Sequence, residues 1–367
     1  MPYPMLDRFK LKMEPLASRE KNKQHIEKDH VPLTALPQNL SAAAREAIQE
    51  AVARIRAARD ADKPVMLATG AHTIKNGLGP VLIHLLETKW VTHVATNGAG
   101  IIHDWEFAFQ GKSSEDVKAH TARGLFGNWQ ETGFFINLAL NVGAYEGKGY
   151  GESVGAMIQS EGLTLPSKDE LLAAVRAAEQ DPERAAAAAD LLWAVKTFEL
   201  KAGRMAIPHP YKRYSVQAAA VRLGVQSTGH PMIGHDIIYT HPMNHCAAVG
   251  RCAERDFLAY AHNISQLDGG VYLSVGSAVM SPMIFEKSLS MSQNLAIQRG
   301  AHIDGHYILV ADLAESRWDW SKGEPPLDNP DYYLRYCKTF SRMGGTMRYA
   351  TADNRDFLLE LSRQLRG

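Results

Sequence analysis

Residues 65–109 read VMLATGAHTIKNGLGPVLIHLLETKWVTHVATNGAGIIHDWEFAF, and their reading decides the fold class. Pro64–Thr69 is a short apolar run closed by Gly70, the pattern of a strand buried on both faces. Leu78–Glu87 has helical spacing. Val91–Thr96 is a second buried strand. It ends in the turn Asn97-Gly98-Ala99-Gly100, and a helix follows over about Ile101–Phe109. Strand, glycine turn, helix, repeated, is the unit of a parallel sheet covered on both faces.

The same alternation extends outward. Upstream, Ser41–Arg59 is an amphipathic helix with Ser41 as its cap and Ala44, Ile48, Val52 and Ile55 on one face. Downstream, the alternation resumes after Tyr214. It predicts a helix at Ser215–Leu223, a strand at Ile237–Thr240, a helix at Ala247–Ser265 and a strand at Val271–Val275. A helix at Val279–Gln298, a strand at Tyr307–Ala311 and a helix at Asn329–Phe340 follow. Thr346–Ala350 then reads as a strand and Phe357–Leu365 as the last helix. Residues 111–213 interrupt this order with a Gly- and Tyr-rich stretch, Gly143–Gly151, and an Ala- and Leu-rich stretch, Ser167–Lys201, broken near Pro182. The expected organisation is an N-terminal arm over 1–40 and one α/β domain over 41–367. That domain is a doubly wound, mainly parallel Rossmann-like sheet with a helical insertion at about 111–213.

Composition narrows the function. The chain has 367 residues, 45% of them apolar, with 40 basic and 40 acidic side chains. Zero net charge gives no electrostatic reason to expect nucleic acid or an anionic membrane as partner. It favours self-association, so a dimer or tetramer is expected, its arm packed on a neighbour. Three cysteines form no disulfide framework, which points to a reducing cytoplasm. No apolar run reaches the roughly 18–20 residues needed to cross a bilayer. The first residues, MPYPMLDRFKLKMEPL, lack the apolar core of a signal peptide.

Chemistry is expected at the strand ends, where open parallel sheets bind ligands. Thr69-Gly70-Ala71-His72, Asn97-Gly98-Ala99 and Gly276-Ser277-Ala278 each precede a helix. Small residues there let a phosphate approach backbone N–H groups. None is a full G-x-G-x-x-G, so each is also readable as an ordinary tight turn. Lys75 adds a charge beside the first turn, as an anion clamp or imine former. His103 and Asp104 are candidates for an oriented acid–base pair, although adjacent residues on a helix do not face each other, which favours Asp104 as a first-turn dipole partner.

Three segments taken in order resemble deoxyhypusine synthase: residues 65–109, Leu273–Ile284 (LSVGSAVMSPMI) and Met347–Leu359 (MRYATADNRDFLL). The likeness covers about half of the chain. It is strongest to the bacterial deoxyhypusine synthase-like proteins that carry a Gly-Ala-His-x-Ile-Lys-x-Gly turn. It implies NAD as cofactor and a tetramer with sites between subunits. It implies dinucleotide contacts at His72, Lys75, Asn97, Gly98, Ala99, Gly276, Ala278, Ala311 and Thr351. His103 and Asp104 take the places of the acidic pair beside the nicotinamide. Trp320-Ser321-Lys322 echoes the catalytic Trp-x-Lys, placing Lys322 as a candidate lysine.

Two positions depart from the family: Pro282 stands for its histidine and Cys246, beside His245, for its aspartate. Without the carboxylates a polyamine needs in a desolvated site, hypusination is not expected. The expected function is therefore NAD-dependent chemistry on a small polar or amine substrate. Two alternatives remain open at this point. His230, His235, His241 and His245 could ligate a metal in a hydrolase or lyase, although spacings of five, six and four match no compact zinc signature. The chain could also be a non-catalytic nucleotide-binding relative.

Overall fold

The computed structural model describes residues 3–367. Six strands form one parallel sheet: β1 (Val65–Thr69), β2 (His93–Thr96), β3 (Gln226–Gly229), β4 (Val271–Val275), β5 (Tyr307–Asp312) and β6 (Thr346–Thr351). Their spatial order is β6-β5-β4-β1-β2-β3. The chain therefore winds outward from β1 in one direction, returns to β4 and winds out in the other, the Rossmann order.

Side-chain alternation fills both faces. Val65 and Leu67 of β1, Leu273 of β4 and Leu309 of β5 point to one face. There they meet the helices Ala42–Asp60, Gly79–Glu87 and Asn354–Arg366. Met66, Ala68, Tyr272 and Ile308 point to the other and meet Tyr260, Ile264, Phe285 and Phe340 from the opposing helices. With both faces covered, β1, β4 and most of β5 are buried at every position, which is why these strands read as unbroken apolar runs.

Residues 117–214 contribute further helices, Gln130–Glu146, Tyr150–Ser160 and Pro182–Thr197 among them. Their apolar sides make a third cluster with Ile101 and Trp105 of the helix Gly98–Gln110 and with Val249 and Cys252 of the helix Cys246–Ser265. The glycines of 143–151 have a packing role. A Cβ on Gly151 would lie 2.1 Å from the Ser227 carbonyl oxygen, so Tyr150–Ser160 rests directly on the backbone of edge strand β3. Asp256 pins this contact by accepting from the N–H groups of Gly151 (2.9 Å) and Gly229 (2.6 Å).

The structure corrects two expectations. Ile237–Thr240 is a 3₁₀ turn, and the third strand is Gln226–Gly229. An edge strand buries little and can be polar, whereas Ile238 is apolar because it plugs the helical cluster. Asn329–Phe340 is not one helix. A 3₁₀ turn, Pro330–Tyr333, precedes the helix Arg335–Ser341, with Leu334 out of helical geometry between them. The arm packs on its own chain: Leu16, Ile26 and Val31 are buried, and Gln24–His25 pairs antiparallel with Lys112–Ser113. Tyr3, Met5 and Leu6 stay exposed. Among the described residues no helix is long and apolar enough to cross a membrane.

Candidate functional site

The order of the sheet reverses between β1 and β4, and their carboxyl ends carry Gly70 and Gly276. A Cβ on Gly70 would lie 2.0 Å from the Gly276 carbonyl oxygen, so no side chain fits between the two strand ends. Gly276 itself has φ +58°, a conformation L side chains rarely adopt. The floor of the crevice is thus bare backbone. Beside it opens a cleft of ≈ 250 Å³ lined by His72, Asn76, Gly276, Ala311, Asp312 and Asn354, among others. Asn354 joins its walls: its side chain accepts from Asn76 Nδ2 (3.2 Å) and donates to Thr73 Oγ1 (3.4 Å). Ala71 follows Gly70 as the first residue of the helix Ala71–Lys75, and Thr351 closes β6. Ser277 is buried and accepts from the Ser281 N–H (3.2 Å), while Ala278 is exposed beside it.

Lys75 ends the short helix Ala71–Lys75, which packs along Gly98–Gln110. Burial lowers its pKa, and Lys23 of the arm lowers it further. No carboxylate pairs with it among the described residues. His103 faces the same space. Burial pushes its pKa down to about 4, against the pull of Glu106 and with the help of Lys75, Arg19 and His72. The first turn, the arm and the long helix therefore converge on His103, with Lys75, Arg19 and His72 as its basic neighbours.

His103 and Asp104 do not pair. Asp104 is 2% exposed and accepts from Ser215 Oγ (2.5 Å), Val216 N–H (2.9 Å) and Gln217 Nε2 (3.1 Å). It satisfies the first N–H groups of the helix Val216–Leu223, a structural task. Adjacent residues on a helix point about 100° apart, which separates the two side chains.

A second polar group lies at the end of β2. Asn97 caps Gly98–Gln110 by accepting from the Gly100 N–H (2.9 Å), with Ala99 in the first turn. A Cβ on Gly98 would lie 2.0 Å from Asp236 Oδ2. That carboxyl oxygen is sealed from solvent and without a hydrogen-bond partner, as are the hydroxyls of Tyr150 and Tyr239. Burial raises Asp236 to about 6, and its charge in turn raises both tyrosines. Sequence reasoning missed Asp236. Its only signal is an acid in a Gly-His-Asp turn just past a strand end, visible once β3 is placed correctly.

The histidines of 230–245 disperse. His230 Nε2 and His93 Nε2 share Thr228 Oγ1 (2.9 and 2.8 Å). His235 is exposed. His241 accepts from the Met243 N–H on Nδ1 (2.9 Å) and meets Gln130 through Nε2 (3.2 Å). His245 tilts onto Trp193, 4.9 Å between centroids. No three His, Cys, Asp or Glu side chains gather as metal ligands among the described residues. Lys322 is exposed, 3.6 Å from Asp319, and is not part of the cleft lining.

No protein-family model matches the chain, and no curated protein does. Several solved structures align with it. AgrE in ternary complex with ornithine and NAD+ is 14% identical with TM-score 0.44, over 90% of this chain and 34% of that one. ArgZ, an arginine dihydrolase of the cyanobacterial ornithine–ammonia cycle, is 13% identical with TM-score 0.41, over 90% and 32%. A conserved LOR/SDH protein of Methanococcus maripaludis S2 is 11% identical with TM-score 0.44, over 92% and 72%. The chain spans about a third of the length of ArgZ and AgrE.

Proposed function

We propose that the chain binds NAD across the ends of β1 and β4 and is an enzyme acting on a small polar or amine substrate. The observation that carries this reading is the bare floor of the crevice. Gly276, exposed at the cleft with φ +58°, leaves backbone alone where a pyrophosphate must come close; buried Gly70 packs against its carbonyl oxygen, and His72 stands at the cleft's edge. Asp312 and Asp353 at the cleft are the acids available to ribose hydroxyls. NAD would supply hydride acceptance. The chain's own residues would hold it through Gly70, Ala71, Gly276, Ser277 and Ala311, with Lys75 and His72 countering phosphate charge.

The substrate class rests on the cleft itself: Asp312 and Asp353 at its wall are carboxylates that can pair with an ammonium group or accept from hydroxyls. Self-association is part of the same reading: Val279, Met283, Leu295 and Ile297 expose apolar surface on or beside the single helix Met280–Ile297. Light scattering at micromolar concentration would give a dimer or larger species.

Titration calorimetry with millimolar NAD and NADP tests the cofactor. Heat is expected with NAD and lost in Gly276→Val, whose side chain would enter the cleft. Absence of heat with either nucleotide in the unmodified chain would remove the reading.

A further inference from the structure

On the helix Gly98–Gln110 a chain of hydrogen bonds dictates which nitrogen of His103 carries its proton. Glu106 lies one turn further along the same helix and is 1% exposed. Arg19 of the N-terminal arm grips it with both terminal nitrogens, 2.7 and 2.8 Å. Thr132 donates to Oε1 (3.0 Å) and Ser113 to Oε2 (2.6 Å). Ser113 has one proton and spends it on Glu106, so toward His103 Nδ1, 2.8 Å away, its oxygen accepts. Nδ1 must then hold the imidazole proton, and Nε2 is left with its lone pair. Nε2 has no partner within the chain among the described residues, and it is not one of the sealed, unpartnered atoms.

We infer that His103 is the proton acceptor of the site, held in its Nδ1–H form by the relay Ser113–Glu106–Arg19. This rests on the NAD reading above. With NAD bound, the C–H hydrogen would leave with its electron pair, as hydride, to the nicotinamide, while an O–H or N–H bond on the same carbon's heteroatom breaks. The proton goes to Nε2, and a C=O or C=N bond forms. The substrate is oxidised and the dinucleotide reduced. The groups facing His103 are Glu106 on its own helix, Arg19 on the arm, and His72 and Lys75 on the first turn. Three of the four are basic and, with burial, keep the imidazole neutral; Glu106, joined to Nδ1–H through Ser113, is the group that favours the proton's arrival. Asp104, the adjacent acid, has no share in this, and Arg19 makes the arm a positioning element of the site.

Carbethoxylation with diethylpyrocarbonate, mapped by mass spectrometry at pH 5.5, separates the outcomes. An ordinary exposed histidine is then roughly nine-tenths protonated and slow to react. His103 is expected to react fastest, and millimolar NAD is expected to protect it. Ser113→Ala frees the tautomer and should slow His103 about fivefold, the worth of one hydrogen bond, with Ser113→Thr restoring it. Long-range ¹⁵N–¹H spectra of histidine-labelled protein read the tautomer directly. An Nε2–H form, or a His103 rate unchanged by Ser113→Ala, would overturn the relay. Calorimetric NAD binding without protection would overturn the placement of His103 against the substrate. If calorimetry shows no NAD binding, the cofactor reading fails and the hydride step with it, and the tautomer spectra then decide the relay alone.

Discussion

The helix Gly98–Gln110 meets a buried carboxyl near each end, and the two are treated in opposite ways. Near the last turn, burial pushes Glu106 up, but the Arg19 guanidinium and the Ser113 hydroxyl outweigh it and hold the group below the ordinary carboxylate range. At the first turn, Asp236 has only burial acting strongly on it, and it rises to about 6. Both lie among apolar neighbours of the same helical layer. The difference is closure: every oxygen of Glu106 is spoken for within the chain, whereas Asp236 Oδ2 is not. Closed polar networks specify a structure, and a buried acid left unpartnered costs stability that a neutral substitute recovers.

The contrast is broken most severely at Arg19. Arg19→Met leaves Glu106 buried, ionised and without its counter-charge, and should cost about 3–5 kcal/mol in urea unfolding. A loss below about 1 kcal/mol would mean that Glu106 is not sealed. Asp104 offers a second test of closure. Asp104→Ala strips the acceptor from four donors at the start of Val216–Leu223 and should cost about 1–3 kcal/mol, while NAD binding heat persists if its task is structural. A loss of binding with unchanged stability would return Asp104 to the site.

Asp236 should behave in the reverse sense. Its folded pKa is raised above the unfolded value, so the folded chain holds this proton longer. Between about pH 4 and 6 the unfolded state ionises first, stability falls as pH rises, and the deficit persists above pH 6. Asp236→Asn removes that deficit and should be more stable than the parent at pH 8 by about 1–2 kcal/mol, allowing for partial exposure. Equal unfolding midpoints at pH 4 and a gap that opens by pH 7 are the expected pattern. A variant less stable at every pH would mean that Asp236 has a partner after all.

The sequence by itself determined the central sheet. Where a strand is buried on both faces, its residues are predominantly apolar, and Val65–Thr69 and Val271–Val275 could be read to within a residue for that reason despite Thr69 and Ser274. The glycines at strand ends were legible too, because a bare crevice needs them. Periodicity reports only what a residue's own element buries, and there the reading stopped. The polar edge strand Gln226–Gly229 was hidden because its covering comes from a helix seventy residues earlier in the chain, through glycines whose purpose is closeness to Ser227. Helix geometry argued against Asp104 as the partner of His103 but could not name the residue that takes its place. The residues that settle its tautomer are Ser113, Glu106 and Arg19, and Arg19 arrives from 84 positions upstream. Hydrogen bonds between distant segments leave no pattern along the chain, because the side chain that completes one is chosen by the packing of whole elements. Only the tertiary structure could decide which buried acid is closed and which remains open.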